Sequence, residues 1–302
     1  MNRFAIILFF LSSCFFIISC DNDEDYIVYP IDPNPELVKR GDEAGMKISR
    51  YMSQDSPGVS VQGAACYGDY LFQFENYNAN VYIYNLKTKK ISEIVPLTPK
   101  SQNHCNNASF STTFYEEGDE FPLLYVSGGV STTYNHAQVY RILHTENGFE
   151  IINIQEIEFP KASTKNKMYS TQVVMSTDCM YVLTKGSNQT FVSRFEIPDC
   201  KIPFVSLVDG DIIEQFEIDD YSHKQGAIIY GGFMYILYGV PAWGDMSYLR
   251  VLDLDRYEDT IVYNLSKMGY KQEFEGLAFY NDTLVVAANH NAGIFIFHDV
   301  IP

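Results

Sequence analysis

The sequence predicts an all-β protein, and within that class a β-propeller with five blades. The first observation is a repeated spacing in which Gln or Glu, then Gly, then an apolar residue precede a Tyr. The three copies run from Gln62 to Tyr67, from Gln225 to Tyr230 and from Glu275 to Tyr280. The second observation is that short apolar or alternating runs, bounded by Gly, Asn and Asp, dominate the chain. Repeats of such runs are typical of propellers.

Each predicted blade has four antiparallel strands joined by short turns, with the first strand lining the central channel. The predicted strands of four complete blades are 61–67, 70–75, 80–86 and 91–97; 106–111, 123–127, 137–143 and 149–157; 170–176, 180–184, 190–197 and 212–218; and 225–230, 233–238, 248–254 and 260–264. Six blades are the alternative, but they require a hidden repeat in 135–168 or 201–220, where no second Gln-Gly start occurs.

The last repeat supplies three strands, at 274–280, 283–288 and 293–299. The segment from Met46 to Met52 precedes the first blade at the position where a fourth strand precedes every other first strand. We therefore expect an N-terminal strand to complete the last sheet, which closes the ring and removes its exposed edges. Helical periodicity is confined to Pro35 to Arg50.

Residues 1–19 are predicted to be a lipoprotein signal peptide. Arg3 supplies the positive charge, and residues 4–18 form an apolar run that is short for a membrane span. The tetrapeptide Ile17-Ile18-Ser19-Cys20 resembles the lipobox of bacterial lipoproteins. That resemblance implies cleavage before Cys20 and attachment of lipid to its thiol, so that the chain is anchored to the membrane rather than spanning it.

Cys14 follows a second segment that fits a lipobox, but cleavage there would leave an apolar stub at residues 15–18. Cys20 is favoured because the acidic run 21–25 follows it directly. This run resembles the export signal that directs lipoproteins of the Bacteroidetes to the outer face of the outer membrane. A solvated acidic linker is the alternative interpretation. The predicted organisation is a tether at 20–40 and a propeller domain at 41–302.

Composition limits the function classes. The net charge of -17, with scattered Lys and Arg, argues against nucleic acid as a partner. Four cysteines remain after the signal region, and Cys179 and Cys200 flank one hairpin and could pair, while Cys66 and Cys105 lie on neighbouring first strands. The chain has no Cys-x-x-Cys spacing, so a structural zinc site is not expected. No metal ligands and no cofactor are assigned from the sequence.

The repeat also predicts a polar ring at one mouth of the channel. Aligned on the Gln-to-Tyr spacing, one level contains Gln62, Asn106, Gln172, Gln225 and Glu275. Two residues earlier, on the same side of each strand, lie Ser60, His104, Ser170, His223 and Glu273. Amides, carboxylates and imidazoles suit a polyol ligand or a bound ion with water, and ordered water filling the channel is the structural alternative.

Loops between second and third strands form the rim of this mouth. They carry aromatic and polar side chains, namely Glu75, Tyr77, Asn78, Tyr134, His136, Tyr238, Trp243, Asp245 and His290. Trp243 is the single Trp of the chain and lies in a loop with no strand pattern. Aromatic area beside directed hydrogen-bonding groups is what recognition of a sugar requires. A Trp packed as a plug on the propeller face is the alternative.

Three hypotheses of function follow. The first is a binding or interaction module at the cell envelope that recognises a glycan at the channel mouth. The second is a hydrolase acting on a glycan through carboxylates of the same face, with Glu275 as the first candidate. Glu273 and Glu275 come from one strand and would not flank a bond by themselves, whereas Glu275 with Glu75 or Asp245 across the mouth could. The third is a scaffold for partner proteins. No Gly-x-Ser-x-Gly elbow or other catalytic signature occurs.

The lipobox, the acidic tether and the Gln-Gly-Ala starts together resemble the propeller lipoproteins of the Bacteroidetes. That resemblance implies location and architecture: an outer-membrane lipoprotein at the cell surface, touching the membrane only through its lipid. It implies no particular reaction.

Replacing Cys20 by Ala is expected to abolish lipid attachment, because the thiol is the acceptor, and to release the protein from the membrane fraction. Metabolic labelling with a fatty acid and fractionation measure both effects, with Cys14→Ala as the matched control. Loss of labelling in the Cys14 variant alone would place the cleavage site there instead.

Overall fold

The computed structural model describes residues 30–53, 60–76, 80–97, 105–128, 135–161, 171–185, 188–289 and 292–300. These residues form one α-helix, two 3-10 segments of three residues and five sheets arranged in a ring, so the all-β class and the five-bladed propeller are confirmed. Blades are numbered here by their innermost strands in chain order.

The helix is α1 (Pro35–Ala44), and it precedes the closing strand β1 (Lys47–Met52). Blade 1 contains β2 (Val61–Tyr67), β3 (Tyr70–Glu75), β4 (Asn80–Asn85) and β5 (Lys90–Pro96). Blade 2 contains β6 (Asn107–Phe110), β7 (Leu124–Gly128), β8 (His136–Thr145), β9 (Gly148–Glu158) and, from later in the chain, β13 (Phe204–Ser206).

Blade 3 contains β10 (Gln172–Met175), β11 (Cys179–Lys185), β12 (Gln189–Glu196) and β14 (Glu214–Asp219). Blade 4 contains β15 (Lys224–Tyr230), β16 (Phe233–Tyr238), β17 (Tyr248–Asp253) and β18 (Glu258–Asn264). Blade 5 contains β19 (Phe274–Tyr280), β20 (Thr283–Ala288) and β21 (Gly293–His298), with β1 as its outer strand.

The ring closes through the N-terminal strand, as predicted. Strand β1 pairs antiparallel with β21, from Lys47 opposite His298 to Met52 opposite Ile294. Neighbouring inner strands contact one another around the axis in the order β2, β6, β10, β15, β19 and back to β2. Strand β1, which precedes blade 1 in the chain, and the last strand, β21, therefore belong to the same sheet.

The helix is shorter than the helical pattern of the sequence. Asn34 caps it by accepting a hydrogen bond from the backbone N–H of Glu36 at 3.0 Å, and Gly45, at φ 72°, ends it before β1 begins. A methyl group at Gly41 would lie 2.1 Å from the Val262 carbonyl oxygen, so this glycine lets α1 pack directly on β18. The helix thus lies partly within the segment expected to be a tether.

The six-blade alternative is wrong, and both segments that would have hidden a sixth blade have another role. Residues 135–158 lengthen blade 2, in which β8 and β9 have 10 and 11 residues. Residues 204–206 form β13, which pairs parallel with the outer edge of β9. The segment inserted between β12 and β14 of blade 3 therefore adds a strand to blade 2 and does not form a new blade.

The glycine of the repeat lies where inner strands of adjacent blades touch. A methyl group at Gly226 would lie 2.3 Å from the Glu275 carbonyl oxygen, and one at Gly276 would lie 2.5 Å from the Ala64 nitrogen. At Gly63 the same group would lie 2.8 Å from the Cα of Asn107. Each glycine thus permits contact between one blade and the next along the ring.

The tyrosine of the repeat also contacts the next blade. Tyr230 stacks on Phe279 with ring centroids 4.0 Å apart. Tyr67 packs at 5.7 Å against Phe110, and the Tyr280 hydroxyl donates to Asp69 at 3.1 Å. Glycine and tyrosine of the repeat are therefore both explained by blade packing.

Asn107 fills the axis of the ring. Its side chain donates to the Val173 carbonyl oxygen at 2.7 Å and accepts from the Ala227 N–H at 3.1 Å. It thus links blade 2 to blade 3 and, across the axis, to blade 4. With 1% of its surface exposed, Asn107 closes the floor beneath the channel mouth.

The structure tests the disulfide pairing considered for the four cysteines that follow the signal region. Cys66, Cys105, Cys179 and Cys200 are all free thiols in the structure, so the pairing considered for Cys179 and Cys200 is not formed. Burial, reinforced by the neighbouring Asp69, raises the pKa of the Cys66 thiol to about 12.

Within the ranges given above, no helix is long and apolar enough to cross a bilayer.

Closure through β1 can be tested by truncation. A chain starting at Met46 loses the packing of α1 on β18, whereas one starting at Ser53 also loses the pairing of β1 with β21. We expect the second truncation to cost several kcal/mol more than the first, out of the roughly 5 to 15 that a domain has available. A chain starting at Pro30 is the reference in thermal and urea unfolding. Equal stability of the two truncations would contradict closure by β1.

Candidate functional site

The predicted mouth residues fall at irregular positions of the inner strands. In blades 1, 4 and 5 the pairing register shifts across the Gln-Gly or Glu-Gly dipeptide, between Val61 and Ala64, between Lys224 and Ala227, and between Phe274 and Gly276. Such β-bulges redirect side chains out of the regular alternation. The bulges turn the polar residue of the repeat toward its neighbours at the mouth. His104, Ser170 and the rim residues Tyr77, Asn78, Tyr134 and His290 lie outside the described residues.

Glu275 is the centre of a buried hydrogen-bonded cluster. Its side chain is 2% exposed, and its Oε1 accepts from Gln62 Nε2 at 3.3 Å and from Asn289 Nδ2 at 3.2 Å. The same Asn289 nitrogen donates to Glu273 Oε2 at 3.0 Å. The two glutamates predicted to lie on one side of the strand therefore share a single amide donor.

Asn289 is a site residue that sequence reasoning missed. It follows β20 directly, and its Oδ1 accepts the N–H of Val61 at 3.1 Å, which ties blade 5 to blade 1. Its backbone N–H donates to the Glu273 carbonyl oxygen at 2.8 Å. Asn289 falls outside the Gln-to-Tyr alignment, so the repeat gave no signal for it; its place in a loop between second and third strands was the available clue.

The environment of Glu275 favours the protonated acid. Burial, with the nearby Glu273 carboxylate as the second cause, raises the pKa of Glu275 well above its ordinary value. The hydrogen bonds from Asn289 and Gln62 act in the opposite direction and do not overcome burial. Glu275 can therefore hold a proton at a pH where an exposed glutamate has lost it.

Gln225 and Gln172 continue the ring around the mouth. Gln225 Nε2 donates to the Gly239 carbonyl oxygen at 3.3 Å and lies 3.5 Å from Glu273 Oε1. Gln172 Nε2 donates to the Gln225 carbonyl oxygen at 2.7 Å. Asn106 is also buried at this level. The structure thus brings Gln62, Gln172, Gln225, Glu273 and Glu275 into one connected network.

His223 and Trp243 form a second cluster beside this network. Asp245 Oδ2 lies 2.6 Å from His223 Nδ1 and accepts the Val240 N–H at 3.1 Å. Burial opposes ionisation of Asp245, but the hydrogen bonds, of which that from His223 is the largest, lower the pKa of its carboxyl to about 2. Asp245 is therefore a carboxylate that fixes the imidazole ring.

Trp243 stands edge-on to His223, with ring centroids 5.0 Å apart and planes at 82°. It belongs to a one-turn 3-10 segment, Pro241–Trp243, and 52% of its surface is exposed. The two clusters adjoin at Gly239, whose N–H donates to the His223 carbonyl oxygen at 2.7 Å and whose own carbonyl accepts from Gln225. An exposed aromatic ring therefore lies beside the amide and carboxylate network.

Other predicted rim residues do not join this site. Tyr238 is buried, and its hydroxyl accepts from Arg250 at 3.4 Å between the sheets, so it does not reach the rim. Glu75 accepts from Asn80 at 2.6 Å within blade 1. His136 pairs with Glu156 at 2.8 Å on the outer part of blade 2.

Lys224 is a further residue that the sequence analysis did not single out. Its Nζ donates to Thr190 Oγ1 at 3.1 Å, and that hydroxyl donates to Asp220 Oδ1 at 2.7 Å. Burial lowers the pKa of Lys224 to about 8, despite the opposing charge of Asp220. Its ammonium group thus faces the seam between blades 3 and 4.

Within the part of the chain that the structure describes, no three His, Cys, Asp or Glu side chains are placed to hold one metal ion. Glu75 accepts from Asn80 and Asp245 contacts His223, while Glu273 directly precedes β19 and Glu275 lies on it.

No family model matches the chain, and no curated protein matches it. Solved structures do. The glutaminyl cyclase of Myxococcus xanthus is 10% identical, with a TM-score of 0.54 over 85% of this chain and 97% of that one. A virginiamycin B lyase of Staphylococcus aureus is 11% identical, at a TM-score of 0.46 over 83% and 99%. The β-propeller domain of Myceliophteria thermophila Cps50 (Swd1) is 10% identical, at 0.44 over 84% and 100%. At these identities the likeness shows the propeller fold alone.

The raised pKa of Glu275 predicts how the stability of the folded protein depends on pH. Because the folded-state pKa lies above the ordinary value of 4.5, folding favours the protonated acid. The stability contribution is complete below that ordinary value and is lost as the pH rises through the folded-state pKa. Glu275→Gln keeps the shape and removes the titration, so its Tm should exceed that of the wild type at high pH and match it at low pH.

Differential scanning calorimetry across pH measures this difference, at about 2–4 °C for each kcal/mol in a domain of this size. Glu217→Gln, which neutralises a solvent-exposed carboxylate on β14, is the control and should leave the pH profile unchanged. A lower Tm for Glu275→Gln at every pH would show that the carboxylate is instead a required ionised acceptor.

Proposed function

We propose that this protein is a binding module of the cell envelope that recognises a glycan at the channel mouth. The propeller fold is a scaffold suited to binding or interaction, and the mouth provides a floor, polar walls and an exposed aromatic ring. Asn107 forms the floor, the network around Glu275 forms one wall, and Trp243 stands at the rim.

The observation that carries the proposal is the placement of Trp243 beside His223. More than half of the indole is exposed, and His223 is held in place by Asp245, so the pair offers a fixed apolar surface with a polar edge. The alternating apolar faces and hydroxyl edges of a pyranose fit such a surface. Glu273 and Gln225 then lie where they can hydrogen-bond the hydroxyls of a sugar stacked on the ring.

The proposed location follows from the sequence. A lipid on Cys20 would anchor the protein, and the acidic run after it supports export to the cell surface as an outer-membrane lipoprotein. The described fold already makes contacts at Ile31, whose N–H donates to the Asp220 carbonyl oxygen at 2.9 Å, and the proposed anchor at Cys20 lies N-terminal to it. A ligand of the envelope or the surrounding medium would then reach the mouth without crossing a membrane.

A contact with a partner protein is a second candidate, favoured by an exposed apolar strip on the outer edge of blade 2. Ile202, Phe204 and Val208 expose 48%, 53% and 60% of their surfaces. They belong to the insertion that adds β13 and lie on a different part of the molecule from Trp243. The two candidates can therefore be separated by substitution.

Because Trp243 is the single Trp, its fluorescence reports directly on the proposed site. The domain from Pro30 onward would be screened on an array of neutral, acidic and amino oligosaccharides, and hits titrated by Trp emission and calorimetry. Trp243→Ala should weaken binding about tenfold or more, since about 1.4 kcal/mol of stacking corresponds to that factor. The calorimetric titration measures this loss.

Phe204→Ala is the matched control, since it removes an equally exposed aromatic ring from the edge of blade 2. It should leave glycan binding unchanged. The absence of any hit on the array would refute the glycan proposal. A binding partner lost through Phe204→Ala but retained by Trp243→Ala would support the protein-contact candidate instead.

A further inference from the structure

We infer that the mouth of the propeller faces the membrane that carries the protein, and that its ligand is the neutral saccharide of a glycolipid in that membrane. This inference rests on the proposed function, from which it takes the lipid on Cys20 and the glycan site at the mouth. The observations behind it are the two places where the described chain leaves the ring, the reach of the N-terminal segment, and charge.

The N-terminal segment leaves the ring on the face that carries the mouth. The Ile31 N–H donates to the Asp220 carbonyl oxygen at 2.9 Å, and the Asp220 N–H donates to the Asn188 carbonyl oxygen at 3.0 Å. Asp220 directly follows β14 and lies in the connection to the inner strand β15, three residues before His223. Asn188 lies in the loop between β11 and β12, the second and third strands of blade 3. Both connections belong to the mouth face, and the buried Pro33 continues this attachment toward α1.

The C-terminal end leaves the ring on the opposite face. Strand β21 begins beside the mouth, where Gly293 pairs with Ala288, the residue before Asn289 of the mouth network. It runs away from the mouth to His298, at the level of the turn that joins β19 to β20. The described chain then ends at Val300. An anchor before Ile31 therefore turns the mouth toward the membrane, whereas an anchor after Val300 would turn the mouth away from it.

The proposed anchor is close to the mouth along the chain. Cys20 precedes Ile31 by eleven residues, and a chain of that length reaches at most about 40 Å when fully extended. Trp243 lies near the point of attachment, since its ring centroid is 5.0 Å from that of His223, three residues after Asp220. A lipid on Cys20 would thus hold the rim of the mouth within reach of the surface of the bilayer.

Charge determines which part of that surface the mouth can bind. The chain has a net charge of -17, the acidic run 21–25 lies between the anchor and the domain, and Asp245 at the rim is ionised because its pKa is about 2. The anionic phosphates of membrane lipids repel such a surface. An uncharged sugar meets no such repulsion, and it offers an apolar face to the exposed indole of Trp243. The neutral saccharide of a glycolipid therefore fits both the charge and the position of the mouth.

The orientation can be measured without any ligand, because Trp243 is the single Trp and lies at the mouth. Two forms of residues 21–302 would be bound to phosphatidylcholine vesicles that contain nickel-chelating and dansyl-labelled lipids. One form carries a histidine tag before Asp21, and the other carries an eleven-residue Gly-Ser spacer and the same tag after Pro302. We expect energy transfer from Trp243 to dansyl to be strong in the N-terminally anchored form and reduced in the C-terminally anchored form.

The lipidated full chain, inserted in dansyl-labelled vesicles, should show the same transfer as the N-terminally anchored form. Trp243→Phe supplies the background for each arrangement. Equal transfer in the two anchored forms, or stronger transfer in the C-terminal one, would overturn the inference. The proposed glycan site would be unaffected by that result, because it is tested on the array with the domain in solution.

The ligand is tested with bacterial lipopolysaccharide in the vesicles and with the saccharide that mild acid releases from it. The N-terminally anchored form should reach half of its Trp243 emission change at a bulk saccharide concentration at least about 100-fold lower on these vesicles than with the free saccharide. Tethering provides this gain by raising the effective concentration, and the gain is lost where geometry prevents contact, as we expect for the C-terminally anchored form.

Equal responses to the free and the membrane-borne saccharide, or a response to neither, would overturn the assignment of the ligand. Binding of the free saccharide without any gain on vesicles would leave the proposed glycan site standing while this inference fails. Trp243→Ala, which removes the proposed stacking surface, should abolish the gain while the variant stays folded by its Tm.

Discussion

The structure depends on the close contact between inner strands at the axis. At Gly63, Gly226 and Gly276, a methyl group would lie 2.3 to 2.8 Å from the backbone of the next blade, closer than any side chain permits. Five strands can therefore converge on an axis narrow enough for one side chain, that of Asn107, to fill. This convergence brings polar side chains of different blades within hydrogen-bonding distance and gives the mouth a floor.

The Gln-Gly and Glu-Gly dipeptides of the repeat affect both the packing of the blades and the side chains at the mouth. The glycine allows the next blade to approach closely. The β-bulge at the same dipeptide turns the preceding Gln or Glu into the mouth. Burial of Glu275 is unfavourable for its charged form, and the amides of Gln62 and Asn289 offset part of that cost. A residue kept only to join blades could be Gln at this position, as it is in blades 1 and 4. The carboxylate in blade 5 adds a titratable group that ring closure does not require.

The repeat made much of the fold predictable, because a glycine before an apolar strand marks a physical contact that recurs in three blades. It located the inner strands, the closing role of Lys47–Met52 and the level shared by Gln62, Gln225 and Glu275. Blades 2 and 3 have Asn107 and Val173 where the others have glycine, so their starts were less well defined. The axial position of Asn107, the bridging role of Asn289 and the docking of β13 on blade 2 depend on contacts between residues distant in sequence. No local pattern encodes them, and for the same reason the sequence did not reveal that Lys224 is buried in a seam.

Trp243 bears on whether the mouth is a ligand site or a packed end of the ring. A plug would be expected to bury its largest apolar surface, yet the indole touches His223 at its edge and remains half exposed. The backbone enforces this position: Gly239 at φ 113° and Gly244 at φ 89° bracket the loop, and Asp245 ties it back through the Val240 N–H. A loop that holds its Trp outward, adjoining the amide and carboxylate network at Gly239, is the arrangement on which the proposed ligand site rests.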